Sequence, residues 1–135
     1  MSASTTTPAA TSGAGLRPMI GIVDDDPIMG EALVQRLQLE GYRTSWWQSG
    51  EEALSHLPDA NCRVLVCDIR LPDLDGEQLF RRALPDLGAT PVIFITAFGD
   101  QRVRTQALKA GALEFLDKPF DDTFLLETVR AALKP

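Results

Sequence analysis

The stretch Met19-Ile20-Gly21-Ile22-Val23-Asp24-Asp25-Asp26 decides how this chain is read, because an apolar run ends abruptly in three carboxylates. Continuous apolar character over a few residues is the mark of a strand buried on both faces. A second such run, Val64-Leu65-Val66-Cys67, ends at Asp68, a third, Val92-Ile93-Phe94-Ile95, ends at Thr96, and a fourth, Ala112 to Asp117, ends at Lys118-Pro119. Carboxylates gathered at neighbouring strand ends repel one another unless a cation holds them, and an all-oxygen cluster suits a hard ion such as Mg²⁺, with Mn²⁺ as the alternative. Carboxylates, a hydroxyl and an ammonium at four strand ends are the groups needed to hold a metal and a phosphoryl group side by side.

The segments between these runs read as helices. Asp26 caps the first and Pro27 suits its first turn; Ile28, Ala32, Leu33 and Leu37 follow at helical spacing, with Gly41 at the C′ position. Tyr42 to Trp47 alternates as an edge strand whose adjacent Trp46 and Trp47 face opposite sides, one into the core and one partly exposed. Ser49-Gly50-Glu51-Glu52 is a capping box that opens a helix expected to run to about Leu57 and to stop before Pro58. Pro72 keeps the loop from Ile69 to Leu74 out of a helix. Asp75 then caps a helix carrying Leu79, Phe80, Ala83 and Leu84 that is expected to end at Pro85. Asp100 caps the next, with Val103, Ala107 and Leu108 and a close at Gly111; Asp121 caps the last, with Phe124, Leu125, Val129, Ala132 and Leu133. Strand and helix thus alternate five times, which indicates an α/β fold with a parallel sheet covered on both faces. Ligands bind such sheets beyond the carboxyl ends of the strands, where Asp24, Asp25, Asp68, Thr96 and Lys118 all fall.

Composition limits the remaining possibilities. The 135 residues fit one domain, 44% hydrophobic and 24% charged, as in ordinary globular proteins. Residues 1–17, rich in Ser, Thr, Ala and Gly, read as a disordered tail rather than a signal peptide, with the folded domain at 18–135. No apolar stretch is long enough to cross a bilayer, so no membrane partner is expected and a cytoplasmic location is. The net charge of −6 argues against nucleic-acid contact by this domain. Cys62 and Cys67 lie about 16 Å apart along an extended strand, out of disulfide reach, and carry no expected chemistry. His56, the single histidine, falls on the short second helix, away from the strand ends.

The motifs Val23-Asp24-Asp25-Asp26, Asp68-Ile69-Arg70-Leu71-Pro72-Asp73-Leu74-Asp75-Gly76, Thr96-Ala97 and Lys118-Pro119-Phe120, in this order, resemble those of response regulator receiver domains, the phospho-accepting half of bacterial two-component signalling. The resemblance spans nearly all of Pro18 to Pro135. It implies a flavodoxin-like, doubly wound, five-stranded parallel sheet of order 2-1-3-4-5. It implies that Asp68 takes phosphate from a phosphohistidine of a sensor histidine kinase or phosphotransfer protein. Asp25, Asp68 and the backbone carbonyl of Arg70 would ligate Mg²⁺, with Asp24 acting through a bound water. Lys118 would pair first with Asp68 and then with phosphoryl oxygens, Thr96 would bond the phosphoryl group, and Phe115 would be the aromatic switch that turns inward as Thr96 moves; Ala97 fits the preference for a small residue there.

The same resemblance implies a switch, not a metabolic enzyme, although the domain takes part in its own phosphorylation and dephosphorylation. The stretch from Thr96 to Phe120 is similar to receivers that precede AAA+ transcription activators and some helix-turn-helix regulators, which points to transcriptional control through an output domain that this chain lacks. A stand-alone or phosphorylation-independent interaction module is the alternative. An aspartate-nucleophile phosphatase fits poorly, since the second acid it needs two residues after the nucleophile is here Arg70. Arg102, Arg104 and Lys109 form a basic stripe that could meet Asp117, Asp121 or Asp122 of a second subunit, in a phosphorylation-dependent homodimer built on the last two helices and last strand.

Overall fold

The computed structural model describes residues 17–96, 101–109, 111–118 and 120–134, except for the side chains of residues 76, 77, 84 and 103. The expectations for residues 1–16, Ala97, Asp100, Pro119, and the side chains of Leu84 and Val103 fall outside the described residues. Among the described residues, five strands alternate with five helices: β1 (Met19–Val23), α1 (Pro27–Leu39), β2 (Arg43–Trp47), α2 (Gly50–Ala60), β3 (Val64–Asp68), α3 (Gly76–Leu87), β4 (Val92–Thr96), α4 (Gln101–Lys109), β5 (Glu114–Asp117) and α5 (Asp122–Leu133). The strands form one parallel sheet in the order β2-β1-β3-β4-β5. The expected architecture and strand order are therefore those observed.

The strands separate their side chains by the two-residue period of the pleat. Val64 and Val66 of β3 turn to one face with Ile20, Ile22, Ile93, Ile95 and Leu116, where Leu33 and Leu37 of α1 and Leu125, Leu126 and Val129 of α5 cover them. Leu65 and Cys67 turn to the other with Trp47, Phe94 and Phe115, under Ala53 and Leu57 of α2, Leu79, Phe80 and Ala83 of α3, and Ala107 of α4. Both faces of the central strands are dry, which is why their sequences are apolar without alternation. The order 2-1-3-4-5 reverses direction between β1 and β3, so their carboxyl ends open the crevice that holds the acids.

Local chemistry sets the helix ends. The side chains of Asp26, Ser49 and Asp121 accept from the backbone N–H groups of Ile28 (3.0 Å), Glu52 (3.1 Å) and Thr123 (2.7 Å). Asp75 and Gln78 exchange a reciprocal pair of bonds at the start of α3. Gly41, at φ 93°, closes α1: its N–H donates to Gln38 O and the N–H of Tyr42 to Leu37 O, a Schellman turn.

Parts of the reading need correction. α2 continues through Pro58 to Ala60, and α3 through Pro85 to Leu87. Proline removes one backbone bond but has a helical φ, and the half-buried Ala60 and buried Leu87 anchor the turns beyond it. On α1, Ile28 (82% exposed) and Ala32 face solvent, while Gly30 joins Leu33 and Leu37 on the buried side. Leu108 and Phe124 are exposed, and Leu126 takes the core place on α5. β5 begins at Glu114, because Ala112 and Leu113 complete the turn out of α4, where the N–H of Ala112 donates to Ala107 O.

Candidate metal and phosphoryl site

Parallel pairing brings the carboxyl ends of β1, β3, β4 and β5 into line, with Val23 beside Cys67, Asp68 beside Ile95, and Thr96 beside Asp117. Asp24 and Asp25 follow β1, Asp68 and Thr96 end β3 and β4, and Lys118 follows β5. Carboxylate oxygens from Asp24, Asp25 and Asp68 all lie within 4.8 Å of one another. Lys118 Nζ sits 3.2 Å from Asp68 Oδ2 and 3.8 Å from Asp24 Oδ2. The backbone reinforces this convergence: the Lys118 N–H donates to Thr96 O at 2.6 Å, and the Ile69 N–H to Ile95 O at 2.9 Å.

Each acid occupies a different environment. Asp24 is buried; one oxygen accepts the Asp26 N–H at 2.9 Å, and the buried Oδ2 has no hydrogen-bond partner among the described residues. Burial pushes the Asp24 carboxyl from 3.8 up to about 6, against the pull of the Asp26 N–H and Lys118, and the neighbouring Asp68 and Asp25 add to the rise. Asp68, 8% exposed, accepts the Arg70 N–H on Oδ1 at 2.9 Å and meets Lys118 on Oδ2. Asp25 is exposed at the mouth, and Thr96 is buried at the rim of the crevice. A desolvated oxygen lacking a partner, in an oxygen-only cluster open to solvent through Asp25, fits a hard divalent cation.

Phe115 is buried against Phe94, ring centroids 6.2 Å apart, with the Arg104 guanidinium 5.3 Å above its ring. The aromatic expected to turn inward thus already lies inward. Arg104, expected to reach another subunit, donates to Asp117 of its own chain at 2.9 Å. The pair joins adjacent elements, α4 and β5, from positions thirteen residues apart in the sequence. His56 is exposed and stacks on the buried Trp47, ring centroids 6.1 Å apart. Burial pushes the thiol of Cys62 up to about 11 and that of Cys67 well above the ordinary range, so both are poor nucleophiles.

Two contacts around the site gave no signal in the sequence. Asp73 accepts the N–H groups of Gly50 (2.9 Å) and Glu51 (2.8 Å), so the loop after Asp68 caps α2; these bonds, that of Glu51 foremost, hold its carboxyl below the ordinary range. The indole of Trp46 donates to the backbone carbonyl of Asp24 at 2.8 Å. Both are long-range pairings of ordinary residue types, and only the folded register reveals them.

Comparison with known proteins agrees with this geometry. A family model of the response regulator receiver domain matches residues 20–130. The transcriptional regulatory protein FixJ of Rhizobium meliloti is 40% identical over 114 residues, covering 84% of this chain and 55% of that protein. The C4-dicarboxylate transport transcriptional regulatory protein DctD of Pseudomonas aeruginosa is 38% identical over 117 residues, covering 84% of this chain and 24% of that protein. The chain therefore spans about half the length of one of these relatives and about a quarter of the other. Among solved structures, the crystal structure of FixJ-N superposes with a TM-score of 0.77 at 39% identity, over 86% of this chain and 93% of that one. A CheY-like receiver domain protein from Methanospirillum hungatei gives a TM-score of 0.83 at 28% identity, over 87% and 94%. From its strand order, its convergent acids and lysine and these matches, the chain belongs to the response regulator receiver domain family.

Proposed function

We propose that Asp68 is the phospho-acceptor of this receiver and that Asp24, Asp25, Asp68 and the backbone carbonyl of Arg70 hold Mg²⁺ beside it. The observation that carries the reading is the buried Oδ2 of Asp24, which has no hydrogen bond among the described residues and shares the Lys118 ammonium with Asp68. A carboxylate oxygen of Asp68 attacks the phosphorus of a phosphohistidine on a sensor kinase or phosphotransfer protein. A P–O bond forms, the P–N bond breaks, and the imidazole leaves with the electron pair. Such transfer depends on positioning and on charge stabilisation rather than on covalent help from the protein. Bound Mg²⁺ would supply charge neutralisation at the equatorial oxygens. Lys118, already 3.2 Å from Asp68, exchanges a carboxylate oxygen for a phosphoryl oxygen, and the Thr96 hydroxyl donates to another. The shift of Thr96 then biases the packing of α4 and of Phe115, the switch residue.

The output belongs to the same proposal. Leu108 on α4, Leu113 before β5 and Phe124 on α5 leave 41–49% of their surfaces exposed, and Leu113 and Phe124 line one open groove on the α4–β5–α5 face. We infer that phosphorylation favours a homodimer through this face, and that the receiver controls transcription through an output domain, as the names of FixJ and DctD suggest.

Intact-protein mass after incubation with a small acyl phosphate and Mg²⁺, beside Asp68→Asn and a chelated sample, tests the acceptor. One added phosphoryl group, absent in both controls, is the expected result. No added mass in folded wild type would refute the reading and favour an interaction module that works without phosphate.

A further inference from the structure

The tryptophan pair that ends β2 takes no part in the chemistry above, yet both members hold the backbone of Asp24, one through its N–H and the other through its carbonyl. The carbonyl of Trp47 accepts the Asp24 N–H at 3.0 Å, and the indole Nε1 of Trp46 donates to the Asp24 carbonyl at 2.8 Å. That carbonyl belongs to the peptide joining Asp24 to Asp25, so its orientation fixes how the two carboxylates splay. On the other side of the indole lies Gly30 of α1. A Cβ at that position would stand 2.1 Å from Trp46 Cζ2, 2.2 Å from Cε2 and 2.6 Å from Nε1. Only glycine admits the ring, although glycine within a helix is less favourable than alanine. The half-buried indole packs with the α1 and α5 cluster, but packing alone does not require its N–H to face the one carbonyl between two candidate ligands.

We propose that Trp46 is a positioning residue for the metal centre, acting from the edge strand through the Asp24–Asp25 peptide, with Gly30 as its seat. The proposal rests on the Mg²⁺ reading above. Loss of the indole bond frees the peptide to rotate, and Asp24 and Asp25 then spend part of their time turned away from Asp68. The ion must bind the competent fraction only, so affinity falls in proportion to that fraction.

Two variants separate donor from ring. Trp46→Phe keeps an aromatic on Gly30 and removes the N–H; Gly30→Ala keeps the N–H and displaces the ring. Leu57→Ala, in the opposite core layer, is a destabilised control. Mg²⁺ affinity is read by calorimetry, and in metal-free protein the exchange of the Asp26 N–H, which bonds Asp24 Oδ1, reports how firmly Asp24 is held. One lost hydrogen bond predicts Mg²⁺ affinity about two- to tenfold weaker in Trp46→Phe and Gly30→Ala, with faster Asp26 exchange. Leu57→Ala should bind Mg²⁺ as wild type does. Wild-type affinity and exchange in both variants, or equal weakening in Leu57→Ala, would overturn the proposal. A wild type that binds no Mg²⁺ refutes the metal reading instead, and the exchange measurement still decides the positioning role.

Discussion

Replacing Asp24 by asparagine is expected to make the metal-free protein more stable, and increasingly so as pH rises. Asp24 is 1% exposed, its Oδ2 has no hydrogen-bond partner among the described residues, and its carboxyl is raised from 3.8 to about 6, chiefly by burial. The folded state therefore holds this proton more tightly than the unfolded chain. The contribution is intact below the unfolded value and is lost as pH climbs through the folded one. At about 1.4 kcal/mol per pK unit, a rise from 3.8 to about 6 corresponds to about 3 kcal/mol lost by pH ~7.5. The same linkage gives about 1 kcal/mol at pH ~4.5. The asparagine side chain keeps an oxygen for the Asp26 N–H and buries no charge. In urea melts with chelator, Asp24→Asn should exceed wild type by about 3 kcal/mol at pH ~7.5 and about 1 kcal/mol at pH ~4.5. Mg²⁺ should then stabilise wild type more than the variant, which keeps Asp25, Asp68 and the Arg70 carbonyl but loses the charge of Asp24. A variant no more stable than wild type in chelator, or a gain that does not change with pH, would refute the reasoning.

Lys118→Met removes the cation between Asp68 and Asp24; with its side chain 20% exposed, the loss should be about 2 kcal/mol in chelator, below that of a fully buried pair. Mg²⁺ should recover most of that loss in thermal melts, and a loss that Mg²⁺ does not touch would count against a shared site. Asp73→Ala leaves the Gly50 and Glu51 N–H groups at the start of α2 without their acceptor, while the Ser49 cap remains, and should cost about 1 kcal/mol at neutral pH. Because the Asp73 carboxyl is held below 3.8, that stabilisation is present above pH 3.8 and fades as pH falls further, so the gap between variant and wild type should close in acid melts. A double-mutant cycle of Arg104→Ala with Asp117→Ala should give a coupling of about 0.5–1 kcal/mol, since both side chains are partly exposed, and added salt should reduce it. Zero coupling in dilute salt would return Arg104 to the intermolecular role that its sequence position suggests.

What the sequence made legible follows from the range over which each signal acts. The buried strands, the caps at Asp26, Ser49, Asp75 and Asp121, and the glycine turn at Gly41 are set by residues within about four positions of one another, and all are observed. The converging acids were legible for a less local reason. A parallel sheet places every strand's carboxyl end on one edge, so residues far apart in sequence share a site once the alternation of elements is known. Proline misled where tertiary packing outweighs a local preference, at Pro58 and Pro85, because the residues beyond each are held by the core. Helical spacing alone could not rank Ile28 against Gly30, since which face of α1 is buried depends on an indole from β2.

The contacts that sequence could not show share a feature with functional weight. Asp73 on α2, Trp46 on Asp24 and Arg104 over Phe115 each tie an element carrying a candidate site residue to another element of the fold. The acids and lysine are fixed by the sheet, which is rigid because both of its faces are packed. The loops that present them are fixed instead by these single long-range bonds, each worth about 1 kcal/mol, so they can break individually without unfolding the sheet. On the proposed reading, a phosphoryl group on Asp68 would compete with bonds of that size. It would recruit Lys118 away from Asp24 and Asp68 and draw the Thr96 hydroxyl towards its oxygens, and the stability of the core would leave those few bonds as the parts of the structure able to yield.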